Sequence, residues 1–171
     1  MPHAIRIHAT GGPEVLCWEE VEVGAPGPGQ ARVRHVACGL NYIDTYHRTG
    51  LYPLPLPSGI GLEGAGVVEA VGEGVTQLKP GDRVAYAGGP PGAYSEVRCM
   101  PVAPLLKLPD AIDFNTGAAM MLQGLTSAYL LRKTYRVQPG DAVLIHAAAG
   151  GVGLIACQWA KALGATVIGT T

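Results

Sequence analysis

Charge is scarce in this 171-residue sequence. Asp, Glu, Lys and Arg make up 15% of it, and 12 basic against 13 acidic side chains leave a formal net charge of −1. The longest basic block is Arg132-Lys133, so no basic stripe offers itself to a nucleic-acid backbone or an anionic membrane surface. No apolar run approaches the roughly 18–20 residues that span a bilayer. The opening MPHAIRIHATGG lacks the apolar core of an export signal. The expectation is a cytoplasmic protein that engages neither nucleic acid nor membrane. Cysteine is sparse too. Cys17, Cys38, Cys99 and Cys157 are scattered without C-x-x-C spacing, which excludes a dense disulfide framework and reads as four reduced thiols, although the even count leaves pairing open.

Hydrophobic residues make up 48% of the chain, enough for a sizeable core. Over the first hundred or so positions, short β-rich pieces (HAIRIHA, CWEEVEV, ARVRHVAC, GAGVVEAVG, DRVAYAG and AYSEVRCM) alternate with turn-forming GAPGPGQ, YPLPLPSG, KPGD and GGPPG. Many short strands at this spacing predict an all-β barrel or sandwich. Alternation in ARVRHVAC sends Val33 to one face and Arg32 and Arg34 to the other. NYIDTYHRTG reads as a short helix ending near Gly50, and Lys79-Pro80-Gly81-Asp82 as a turn. From about Pro109 the texture becomes helical, until QPGD breaks it before a β-α-β unit that runs to Thr171.

That unit, AVLIHAAAGGVGLIACQWAKALGATVIGTT, holds a relaxed dinucleotide fingerprint with Ala148, Gly150 and Gly153 at the G-x-G-x-x-G positions. Small residues there let the backbone turn tightly and approach a pyrophosphate, whose charge sits at the N–H groups of the helix start. The candidate cofactor-binding turn is Ala148, Ala149, Gly150, Gly151, Val152 and Gly153. Val152, Ile155, Trp159 and Leu163 are expected to form one apolar helical stripe, with Gly164 stopping the helix.

HAAAGGVGLIACQWAKALGA, together with GLNYIDTYHRTGLYP, KPGDRVAYAG and GAYSEV, resembles the NADPH quinone oxidoreductases, the zeta-crystallin branch of the medium-chain dehydrogenase/reductase superfamily. The likeness covers essentially the whole chain. It implies α+β and α/β architecture: a GroES-like β-barrel catalytic domain over residues 1–125, then the first β-α-β unit of a Rossmann NADP-binding domain over 126–171. The chain is then expected to be the front part of a longer enzyme, homodimeric when complete, and the 171 residues alone to be inactive and to self-associate.

Metal-dependent members of the superfamily hold zinc through a Cys and a G-H-E histidine. Here Asn41 and Leu62 stand at those positions, Cys38 lies three residues too early, and the four-cysteine structural zinc loop is absent. An amide and a leucine cannot replace thiolate and imidazole. His3, His8, His35, His47 and His146 show no ligand spacing and read as surface or strand residues. No zinc is expected, and without a Lewis acid the resemblance implies reduction of a quinone by NADPH in an interdomain cleft. It places Asn41, Tyr46 and Tyr52 at the nicotinamide and acceptor, with Asn41 also binding cofactor, and Thr126 near the nicotinamide. Asp44 and Glu63 match structural acids, expected in salt bridges or hydrogen bonds rather than proton transfer. The residue selecting NADP over NAD would lie at Thr170, Thr171 or beyond. Two other roles stay open: reduction of the C=C bond of an enal or enone, and non-catalytic NADPH binding of the crystallin kind.

Overall fold

A computed structural model describes residues 1–171. Ten strands form: β1 (His3–Ile7), β2 (Cys17–Glu20), β3 (Gln30–Gly39), β4 (Ser58–Gly59), β5 (Glu63–Val71), β6 (Arg83–Ala87), β7 (Val97–Pro101), β8 (Leu106–Lys107), β9 (Ala142–Ile145) and β10 (Thr166–Gly169). Three α-helices join them: α1 (Tyr42–Thr49), α2 (Phe114–Tyr129) and α3 (Gly151–Ala162). The chain divides into two compact units, Met1–Met121 and Leu122–Thr171, the division falling inside α2. No helix is long and apolar enough to cross a membrane, and all four cysteines are free.

In the first unit an antiparallel five-stranded sheet runs β7-β3-β5-β6-β8 and a three-stranded one β2-β1-β4. The segment before β7 sews them together, with Ile5 N–H donating to the Tyr94 carbonyl at 2.7 Å and His35 N–H to the Glu96 carbonyl at 2.9 Å. The alternation read in β3 holds at its start: Ala31 and Val33 are fully buried and pack with Val68, Val84, Tyr86 and Met100. Register shifts against β5 fall between Arg32 and Val33 and between His35 and Ala37, and Val36, on the Arg32 and Arg34 side of the alternation, is 57% exposed. A second cluster sets Ala118 and Met121 of α2 against Ala65 and Ala85 of the sheet.

Under the sheet, the His35 imidazole bonds the Ser95 carbonyl through Nδ1 at 2.6 Å and the Tyr86 hydroxyl through Nε2 at 2.8 Å. Burial, with some help from the Arg98 charge and against the Ser95 bond, pushes its pKa down from 6.5 to about 4. Between those values the unfolded chain takes up a proton that the folded one refuses. The stability from the neutral ring is therefore present above pH 6.5 and is lost as pH falls toward 4, by up to about 3 kcal/mol. Urea midpoints of wild type and His35→Gln are expected to differ at pH 7 and to approach each other by pH 4. A pH-independent difference would contradict this reading of His35.

The second unit pairs β9 and β10 in parallel, Ala142 opposite Thr166 through Ile145 opposite Gly169. Its core gathers Leu131, Val137, Ala156, Ala160 and Ala165. The expected stripe on α3 needs correction: its buried line is Gly153, Ala156 and Ala160, with Trp159 and Leu163 only partly buried beside it. Small residues bring the helix axis close to the strands and push the large side chains to the flanks. Gly164, at φ +86, ends the helix as expected.

Candidate functional site

In the first unit the candidate residues converge on the start of α1, which follows directly from β3. Asn41 caps the helix in a capping box with Asp44, its N–H donating to Asp44 Oδ2 at 3.0 Å. Its side-chain Nδ2 donates to Glu63 Oε2 at 2.6 Å. Asn41, Asp44 and Glu63 are all buried, Glu63 completely. A second donor reaches Asp44 Oδ2 from far along the chain, the Tyr94 hydroxyl at 2.6 Å. Both acids are thus hydrogen-bonded side chains, as expected.

Tyr46 and Tyr52 stand with ring centroids 5.3 Å apart, and Tyr52 N–H donates to the Tyr46 carbonyl at 3.1 Å. Gly50 in the left-handed conformation turns the chain between them. Tyr42, absent from the sequence reading, extends the row, its ring edge-on to Tyr46 at 5.3 Å. With Leu40, Leu51 and Leu56 also exposed, this end of the first unit shows an apolar, aromatic surface around a buried amide. His47 corrects the reading of the histidines: it is neither on a strand nor at the surface but buried on α1, because it shares Asp44's face of the helix three residues on.

In the second unit β9 ends in the turn Ala147–Gly150, and α3 starts at Gly151 with Gly150 as its N-cap. Ala147 is the only non-glycine residue with positive φ, at +53°. Backbone held there by its surroundings marks a constrained turn. Gly153 packs directly on it: a Cβ would fall 2.7 Å from Ala148 Cα and closer still to the Ala147 carbonyl oxygen. The exposed N–H groups at this helix start suit an anion. Ala148 N–H donates to the Thr170 carbonyl and Gly150 N–H to the Ala147 carbonyl, each at 2.9 Å, so these two donors are already engaged. A pocket of about 510 Å³ in this unit is lined by β9, Gly150–Gly153 and residues after α2. Thr126 lies on α2, half-buried. Its neighbour Ser127 is fully buried and its Oγ donates to the carbonyls of Gln123 at 2.9 Å and Val152 at 3.3 Å, tying α2 to the start of α3. Ser127 and Gln123 were not singled out from sequence, since only the folded unit brings them to the turn.

Residues 27–110 match the model of the alcohol dehydrogenase GroES-like domain. A quinone oxidoreductase of Pseudomonas aeruginosa is 60% identical over 171 residues, 99% of this chain and 53% of that protein. The structure of Escherichia coli quinone oxidoreductase complexed with NADPH superposes with a TM-score of 0.96 at 54% identity, over 99% of this chain and 52% of the other. Over its whole length the chain is similar to quinone oxidoreductases. It spans about half the length of the curated relatives it matches. A 2-haloacrylate reductase of a Burkholderia species is 52% identical over 177 residues, 99% of this chain and 53% of its own length.

At the two positions that the sequence resemblance assigns to zinc ligands, this chain has Asn41, already bonded to Glu63, and Leu62. No group of three His, Cys, Asp or Glu residues stands close enough to hold a metal ion. The Cys38 thiol, whose pKa burial pushes up, donates to the Ala93 carbonyl and is a poor source of thiolate.

Proposed function

We propose that this chain carries the GroES-like catalytic domain (1–125) and the start of the NADP-binding domain (126–171) of a zinc-independent, NADPH-dependent quinone reductase. The observation that carries the reading is the head of α1: an amide, Asn41, held by a buried carboxyl where a metal ligand would stand, beside paired tyrosine rings. When bound, NADPH supplies hydride or electrons to the acceptor. The chain's own residues bind and orient. Gly150, Gly151, Val152 and Gly153, with Ala148 and Ala149, would hold the pyrophosphate at the start of α3, and Thr126 would approach the nicotinamide. Asn41 would bond the carboxamide or ribose, and Tyr46 and Tyr52 would offer ring faces and hydroxyls to a flat quinone. The glycine turn supports this reading: without a side chain at Gly153, the start of α3 packs directly against the Ala147–Ala148 backbone.

A quinone accepts electrons readily, which is why an amide-and-tyrosine site suffices without a Lewis acid. The complete protein is proposed to be a homodimer. The second reading, reduction of an activated C=C bond, is favoured by one observation, the similarity to a protein named as a 2-haloacrylate reductase. Tyr52→Ala in the full-length protein tests the acceptor assignment. It is expected to raise KM for a naphthoquinone about tenfold while leaving KM for NADPH within about twofold. Equal effects on both would remove Tyr52 from the acceptor face.

A further inference from the structure

We propose that Tyr94 is a positioning residue for the reaction, holding Asn41 in its working orientation through the Asp44 carboxyl. The inference rests on the reading of Asn41 as the amide that meets cofactor and acceptor. Two hydrogen bonds connect Tyr94 to Asn41, and a third fixes the amide. The Tyr94 hydroxyl donates to Asp44 Oδ2 at 2.6 Å. The same oxygen accepts the Asn41 backbone N–H at 3.0 Å, and Asn41 Nδ2 is fixed on the other side by Glu63 at 2.6 Å. Asp44 is buried, and its other oxygen, Oδ1, is buried without a partner. Oδ2 alone therefore anchors this carboxyl, and Tyr94 is the side chain that reaches it from outside α1.

The anchor is firm because Tyr94 belongs to the segment that joins the two sheets. Its N–H donates to the Ile60 carbonyl at 3.0 Å and its carbonyl accepts from Ile5 at 2.7 Å. Its phenol is pushed well above the ordinary tyrosine range, first by burial and then by the bond to Asp44. At neutral pH it therefore keeps the proton that it donates to Asp44 Oδ2. Without that O–H, the carboxyl keeps only its bonds within α1. The helix start, and the amide on it, is then free to rotate away from Glu63. Tyr94 lies fifty residues from Asp44 in sequence and touches no proposed ligand position. It acts through Asp44 and Asn41.

Tyr94→Phe in the full-length protein keeps the ring and removes only the hydroxyl. It is expected to lower kcat with a naphthoquinone about tenfold, the size of one lost hydrogen bond to a carboxyl, with KM for NADPH within about twofold. In an Asn41→Ala background the same substitution is expected to change kcat less than about twofold, because the group it positions is gone. An equal fall in both backgrounds, or no fall in either, would overturn the proposal. A second readout does not depend on turnover. In ¹⁵N-labelled protein, Tyr94→Phe is expected to shift the Asn41 backbone amide and broaden its side-chain NH₂ pair. Unmoved Asn41 signals would overturn the proposal even if kcat fell. If the wild-type protein reduces neither quinone nor alkenal, the functional reading fails, and the Asn41 spectra still decide whether Tyr94 positions it.

Discussion

Gly153→Val in the full-length protein is expected to weaken NADPH binding by about a hundredfold or more, whereas Gly151→Ala should cost no more than about threefold. The two glycines are close in sequence and differ in what surrounds them. A side chain at Gly153 meets backbone, the Ala147 carbonyl and Ala148 Cα, in a turn already held at positive φ by Ala147. That backbone cannot move aside without reshaping the site where the pyrophosphate would sit. A Cβ at Gly151 meets the end of the Gln123 side chain, which can swing away. Isothermal titration of NADPH into both variants checks the contrast. Unchanged affinity in Gly153→Val would remove the turn from the cofactor site, and equal losses would show that the helix start tolerates no side chain at all.

Gly39→Ala is expected to destabilise the first unit by about 3 kcal/mol, the range of overpacking against atoms that cannot yield. Gly39 closes β3 immediately before the Asn41 region. A methyl there would fall 2.7 Å from Glu63 Cδ, and closer to Glu63 Oε2 and to the Ala118 carbonyl of α2. The close approach exists so that β3 can deliver Asn41 to a buried carboxyl with a helix packed behind it. Urea unfolding followed through Trp18, which belongs to this unit, measures the loss. A midpoint equal to wild type would show that strand and helix separate easily, and that Glu63 is not fixed in place.

What could be read from sequence was local. Turn chemistry and alternation located the strands, Gly50 ended α1 and Gly164 ended α3, and Lys79 to Asp82 closed the expected turn, Asp82 N–H donating to the Lys79 carbonyl at 3.1 Å. The glycine pattern at 148–153 was legible because the tight turn between β9 and α3 demands small residues at fixed spacing in one short segment. Features set by pairing partners were not. The register shifts of β3 on either side of Val36 depend on the partner strand β5, which ARVRHVAC alone does not show. The buried line of α3 follows from how near the helix must lie to β9 and β10, so alanines displaced the larger stripe. α2 passes into a π-helical turn at Leu130–Thr134, which no periodicity in LLRKT announces. Tyr94 looked like one more residue of a strand-rich segment, since its hydroxyl acquires meaning only when it meets Asp44.

The measurement that bears most directly on the account is anaerobic NADPH oxidation by the full-length protein with 1,4-naphthoquinone and, in parallel, with a 2-alkenal. An amide-and-tyrosine site without metal ligands predicts steady quinone turnover, with kcat/KM at least about tenfold above that for the alkenal. Preference for the alkenal, or tight NADPH binding with turnover of neither acceptor, would contradict it.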